Sequence, residues 1–257
     1  MSARAAKKPR GKPSASPAPS TSVTLAPLGT PLVGPGEPLC VTATLAGEIA
    51  LPQGPLALDG LLAWAVCARE GLAAPVEGIR PVHIPVALAP GGRFHLCSFS
   101  LAAWEAFGVR YVNRRFPLPE AQNMGAPSLK RILLSGGPCK SFRLPLESGH
   151  LRDDRLTWYL QGDRARVAEL LQMVTGLGKR RGVGLGRVAR WEVTPVEPWP
   201  GFPVVREGRP LRPLPVDWPG VSEGAAREYR CVSFPYWLRA AEVECVVPDV
   251  MALPEGG

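Results

Sequence analysis

Proline and glycine constrain this chain more than any other feature: 30 Pro and 28 Gly are spread through 257 residues, roughly 23% of the whole. Proline has no N–H to give a ladder and glycine weakens regular elements, so few helices are expected. Loops must carry much of the chain. No fixed-period self-similarity is present, and a helical bundle, a coiled coil and a repeat solenoid are excluded with it. Hydrophobic residues still make up 46% of the total, enough for one large domain or a domain with an appendage.

No apolar run reaches the ~18 residues needed to cross a bilayer. Residues 1–19 are basic and rich in Pro, Ser and Ala without the apolar stretch of a secretory signal, so a cytoplasmic location is expected. Cys40, Cys67, Cys97, Cys139, Cys231 and Cys245 lie far apart with no CxxC pair. That spacing argues for reduced, buried thiols rather than a zinc ribbon or a disulfide scaffold. His150 with Asp153 and Asp154 has no metal-ligand spacing, and neither a metal nor a cofactor is expected.

The net charge of +8 is unevenly placed. Arg4, Lys7, Lys8, Arg10 and Lys12 carry +5 in a stretch without acids, so residues 13–257 carry only +3. A second acid-free stretch, 175–191, holds Lys179, Arg180, Arg181, Arg187 and Arg190. Two basic islands point to a polyanionic partner, although a solvated tail accounts equally well for the first.

Along the chain, residues 1–36 read as a flexible basic Pro/Ser/Ala-rich arm, with order beginning near Leu39. Residues 37–196 read as the main domain and 197–257 as a Pro-rich extension that wraps it. A strand is expected over Leu39–Ala46, then a helix capped by Asp59 with Leu61, Leu62, Ala65 and Val66 inward. A hairpin follows, Val82–Ala89 with Arg93–Ser100 around Pro90-Gly91-Gly92. Residues 102–138 read as an insertion whose cations, Arg110, Arg114, Arg115, Lys130 and Arg131, interleave with Trp104, Tyr111 and Phe116. Lys140–Leu146 and Leu156–Gln161 read as a strand pair around Arg152–Arg155, Asp163 as the cap of a helix with Val167, Leu170, Leu171 and Val174 inward, and Arg187–Val196 as a last strand. Without the insertion the order is β-α-β-β-α-β. The expected class is therefore α+β: a ferredoxin-like (RRM-like) domain with an antiparallel sheet, helices on one face and the other face open.

The strongest local signal is Gly176-Leu-Gly178-Lys-Arg-Arg-Gly182-Val-Gly184-Leu-Gly186, with five glycines in eleven residues between a helix and a strand. Glycines permit close backbone approach, backbone N–H groups can face phosphate oxygens, and Lys179, Arg180 and Arg181 add charge. A tight helix-to-strand turn with solvated cations is the plain alternative. Walker A and Rossmann loops are excluded, because the glycines follow a helix rather than a strand.

This G-h-G-x5-G-h-G spacing, h being apolar, resembles the glycine-rich loop of the RAMP superfamily of CRISPR-associated proteins. The Leu58-Asp59-Gly60-Leu61-Leu62-Ala63-Trp64-Ala65 helix looks like the first helix of the Cas-five-like small backbone subunit of type IV systems. The resemblance covers roughly residues 39–196. It implies a RAMP domain that binds CRISPR RNA without cleaving it, caps the 5′ handle of the guide and contacts other effector subunits, with target DNA a further candidate partner. Gly176, Gly178, Gly182, Gly184 and Gly186 would then shape the loop, and Lys179, Arg180, Arg181 and Arg187 would meet phosphates. Arg110, Tyr111, Arg114, Arg115, Lys130 and Arg131 would form a thumb. Two other functions fit the residues: a metal-independent CRISPR RNA endonuclease drawing on His83, His95 or His150 with Tyr111 or Lys140, and a general single-stranded nucleic-acid adaptor using the arm.

Overall fold

The computed structural model describes residues 28–51, 54–72, 82–114, 141–238 and 241–248. In chain order the elements are β1 (Glu37–Leu45), α1 (Leu58–Arg69), β2 (Trp104–Arg114), β3 (Phe142–Leu151), β4 (Arg155–Gly162), α2 (Arg164–Leu171) and β5 (Val188–Pro195). The C-terminal part adds β6 (Val205–Arg206), β7 (Arg209–Pro210), β8 (Leu214–Pro215), β9 (Arg227–Cys231) and β10 (Glu242–Val246).

In β1, Leu39, Val41, Ala43 and Leu45 are buried and alternate with half-buried Cys40, Thr42 and Thr44, the two-residue period of a strand covered on one face. β1 is the centre of an antiparallel sheet, with Val41 opposite Trp158 of β4 and Val193 of β5. α1 and α2 join its buried face in one cluster through Leu62, Val66, Val167 and Leu171. Two indoles are tied into that layer, Trp158 Nε1 donating to the Leu56 carbonyl and Trp191 Nε1 to that of Val174, each at 2.9 Å. As expected, Asp163 caps α2 by accepting from the Arg166 N–H, and Val167, Leu170, Leu171 and Val174 are buried.

The hairpin expected over 82–100 is present only as extended segments joined by isolated bridges. Its second arm runs antiparallel to β4, with Cys97 opposite Leu160 and Leu101 opposite Thr157. Side chains interrupt the ladder: the Ser98 hydroxyl accepts from Tyr159 N–H and the Ser100 hydroxyl from Leu56 N–H. Counting this edge, the lateral order is edge, β4, β1, β5. That mixed α+β arrangement of mostly antiparallel strands and few helices is compatible with a ferredoxin-like fold.

Four expectations need correction. β3 pairs with β2 rather than with β4, giving a long ribbon that returns through Leu151, and β4 instead joins β1 after a turn in which Asp153 and Asp154 take positive φ. The arm expected over 1–36 is docked from Leu28 onward: Leu28 is buried, its carbonyl accepts from His83 N–H, and the Arg166 guanidinium donates to the Thr30 and Pro31 carbonyls. The C-terminal extension does more than wrap. Its β8–β10–β9 sheet buries Val204, Val205, Leu214 and Val246 around Phe94 of the main domain. Residues 1–27 and 249–257 of those expectations lie outside the described residues.

Asp59 is the fourth. It makes no capping bond across the first turn of α1; α1 begins after Ala57, and the Asp59 side chain is fully buried. Its carboxylate accepts from the Tyr236 hydroxyl at 2.6 Å and faces Arg212 Nη2 at 3.4 Å. Arg212 is also fully buried. Its Nη1 donates to the His95 and Cys97 carbonyls at 2.7 and 3.0 Å, its Nη2 to the Val232 carbonyl and the Tyr236 oxygen, and Phe94 and Phe99 lie against the guanidinium. Burial pushes the Arg212 pKa down, and the Tyr236 oxygen and the Asp59 carboxylate more than reverse it, so the cation is retained. Burial also holds the Tyr236 phenol well above its ordinary range and, with the Asp59 charge, pushes the Cys97 thiol up to about 12.

Removing one partner of such a pair leaves a buried charge without compensation. Arg212→Met is expected to destabilise the protein by about 3–5 kcal/mol in denaturant unfolding, and Asp59→Leu with Arg212→Met by less than the sum of the two single changes. A second expectation concerns pH. Burial lowers the His95 pKa from its ordinary 6.5, so the folded protein resists a proton that the unfolded chain accepts. Stability should therefore fall as pH drops below about 6.5, and His95→Gln should flatten that slope.

Candidate nucleic-acid interface

The glycine loop leaves α2 through buried Val174 and Leu177 and returns through buried Leu185 into β5. Its base is closed by the Leu177 N–H donating to Gly186 O and the Val188 N–H to Thr175 O. Segment 46–50, which follows β1, staples the base from the side: Gly186 N–H donates to Glu48 O, Lys179 N–H to Ala50 O and Ala46 N–H to Arg187 O, at 2.7–2.9 Å. Gly178 and Gly186 have positive φ, and a Cβ at either would collide with the carbonyl oxygen of Ala50 or Leu177 respectively. These two glycines are demanded by close approach within the protein, not by a ligand. The tip differs. A Cβ on Gly182 or Gly184 meets only open space, and Gly182 has an ordinary φ, so nothing in the fold requires Gly182.

The tip, a single 3-10 turn over Arg181–Val183, lifts its cations into solvent. Lys179, Arg180 and Arg187 are exposed and have no side-chain partner among the described residues. Arg180 sits in the left-handed region at φ 58°. Arg181 is partly committed, its Nη1 donating to Gly176 O at 3.4 Å and its guanidinium 5.9 Å from the Trp64 ring. A Cβ on Gly176 would stand 3.2 Å from the Arg181 stem.

The ribbon of β2 and β3 rises beside this loop from the same segment. Ile49 and Gly149 exchange two backbone hydrogen bonds, and Glu48 accepts from the Ser148 hydroxyl at 2.9 Å while its carboxylate pairs with Arg110. The structure thus brings Arg110 and the glycine loop onto one five-residue support. It also spends Arg110 on Glu48, so this cation fixes the ribbon. Tyr111 is exposed farther out, with the Arg143 guanidinium 3.9 Å from its ring centre. Sequence reading missed Arg143; pairing Asn113 with Arg143 across the ribbon is what brings it to Tyr111, and only the register reveals that. Arg114 ends β2, and Arg115, Lys130 and Arg131 lie outside the described residues. Phe107, Val109 and Leu144 are also exposed on the ribbon, while Trp104 at its base is buried against Phe107.

The face of the sheet away from the helices carries Thr42, Thr157 and Arg190, with Tyr159 its aromatic residue on β4. Tyr159 is not bare: Trp199 and Phe202 stand against it at 4.8 and 6.3 Å. Of the histidines, His150 is exposed on β3, His83 is half-buried, and His95 lies beside Arg212 with its Nδ1 buried and unpartnered. Cys67, Cys97, Cys231 and Cys245 are buried free thiols. Among the described residues no three or more His, Cys, Asp or Glu side chains are grouped to hold a metal ion, and no helix is long and apolar enough to cross a membrane.

Gly186→Ala is expected to cost more than about 1 kcal/mol of stability, whereas Gly182→Ala should change it by less than about 0.5 kcal/mol. Denaturant midpoints of the two variants check this. Equal losses would mean that the tip is as tightly constrained as the base.

The family model described as "CRISPR type IV associated protein Csf3" matches residues 119–248, half of the chain. The matched stretch takes in β3, β4, α2, the glycine loop, β5 and most of the C-terminal extension, while α1 lies outside it. No curated protein matches the chain.

Proposed function

The chain belongs to the family of CRISPR type IV associated protein Csf3, and from that membership we propose that it is a non-catalytic, CRISPR RNA-binding subunit of a type IV effector, of the Cas-five-like RAMP kind that caps the 5′ handle of the guide. One observation carries the reading: Lys179 and Arg180 stand exposed, with no side-chain partner among the described residues, on a loop whose base is stapled to the sheet. Unpaired cations on a fixed backbone are what phosphate binding uses, because little order remains to be imposed when the anion arrives. The loop lies within the matched stretch.

The ribbon supplies the second contact. A two-stranded ribbon is marginal alone, and this one carries exposed Phe107, Val109, Tyr111 and Leu144 beside the Tyr111–Arg143 pair. Apolar and cationic groups on one thumb suit a neighbouring effector subunit and an unstacked RNA base respectively. Binding without cleavage fits the histidines: none of His83, His95 and His150 belongs to the glycine loop, and burial lowers the His95 pKa. Proteins that share the effector are the expected partners, with target DNA a further one.

Lys179→Ala with Arg180→Ala is expected to weaken single-stranded guide RNA binding uniformly across sequences and to reduce the log–log salt slope by about 1.4, with the unfolding midpoint unchanged. Arg181→Ala should lower both affinity and stability, since that side chain also holds Gly176. Filter binding over a salt series checks this; an unchanged slope in the double variant removes the loop from the interface.

A further inference from the structure

The C-terminal extension lines an open cavity of about 690 Å³ to which neither the glycine loop nor the ribbon contributes a residue. That volume is in the range of small-ligand sites. Three aromatic side chains form its walls, Trp199, Phe202 and Trp218, over buried Val204 and Val205. Both indoles are held in advance of any ligand. Trp199 Nε1 donates to Val205 O at 2.8 Å and its ring stands edge-on to Phe202 at 4.7 Å, while Trp218 is set against Phe94 at 5.0 Å. The Trp218 indole N–H has no protein acceptor among the described residues.

The lining carries one cation: Arg206 lies over the Trp199 ring at 5.1 Å. Arg209, its register partner across the β6–β7 hairpin, stands just outside the lining. Both are exposed, and neither has an ion-pair partner among the described residues. Glu207, held at φ 52° in the intervening turn, is the one carboxylate among the lining residues. Aromatic walls offer π-faces, Arg206 and Arg209 offer a phosphate site, and the Trp218 N–H with Glu207 offers a donor and an acceptor for a base edge.

We propose that this cavity binds one unstacked nucleotide, its base between the aromatic walls and its phosphate on Arg206 and Arg209. Aromatic grooves also take polyproline segments, but those need no cation, and Arg206 in the lining with Arg209 beside it, neither ion-paired among the described residues, favours an anionic occupant. Trp199 also stands against Tyr159, which sets the cavity beside the open face of the sheet. That the nucleotide belongs to an RNA chain rests on the function proposed above; the nucleotide chemistry of the cavity does not.

The test uses the full chain labelled with 5-fluorotryptophan and read by fluorine NMR, with Trp199→Phe and Trp218→Phe assigning two of the seven tryptophan resonances. Adenosine monophosphate should shift the Trp199 and Trp218 resonances saturably, and Lys179→Ala with Arg180→Ala should leave that shift intact. Arg206→Ala should weaken it, and Trp218→Ala should lower affinity by about 5- to 150-fold. A uridine oligonucleotide should move the same two resonances more strongly than the monophosphate. No movement with either probe overturns the site, as does an equal response to adenosine that ignores Arg206→Ala, or a response to a proline-rich peptide alone. A response to the monophosphate together with no RNA binding by the protein overturns the RNA assignment and with it the function proposed above. RNA affinity that needs Lys179 and Arg180, with both resonances still, overturns the cavity and leaves that function standing.

Discussion

A guanidinium shut away from water must find its partners within the protein, and Arg212 finds them for both terminal nitrogens in three separate parts of the chain, its Nε alone being left without one among the described residues. Asp59 comes from the first turn of α1, the His95 and Cys97 carbonyls from the irregular edge of the sheet, and Val232 with Tyr236 from the extension. The edge needs this help. Residues 95–101 have no continuous ladder with β4, so Ser98, Ser100 and Arg212 supply by side chain part of what a regular strand supplies by backbone. A buried charge tolerates few alternative arrangements, since any shift strands it without partners. The extension is therefore bound in one position, and the open aromatic cavity it lines inherits that position.

The second organising element is segment 46–50. Its backbone serves the glycine loop and, through Ile49 and the Glu48 side chain, the ribbon. Loop and ribbon are distant in sequence, yet both are bonded to the same few residues. This is how exposed cations and an exposed aromatic come to face solvent from a common base. The open sheet face has a lesser role than its fold class suggests: Trp199 and Phe202 occupy Tyr159, and the aromatic surfaces are displaced to the ribbon and the extension.

Family membership follows the same geography. The matched stretch covers the glycine loop and the extension together, so the part of the chain that sequence reading treated as a wrapping is within what the family shares. The first helix, on which the type IV resemblance leaned, lies outside the match, and its Asp59 has a structural task in this protein.

Local pattern was legible in the sequence by itself. The alternation in β1, the capped α2 with its i, i+3, i+4, i+7 stripe, the position of the glycine loop and the α+β class all follow from periods and breakers that act within a few residues. Pairings were not. That β3 joins β2 rather than β4, that Arg110 meets Glu48 and Arg143 meets Tyr111, and that Asp59 abandons its cap for Arg212 depend on contacts between residues far apart in the chain. The same holds for the glycines. Composition marks five alike, and only the fold separates Gly178 and Gly186, pressed against carbonyl oxygens, from Gly182, which faces open space. A residue's local preference is written in its neighbours along the sequence; whether its charge or its missing side chain serves the fold or a ligand is decided by what the tertiary structure places against it.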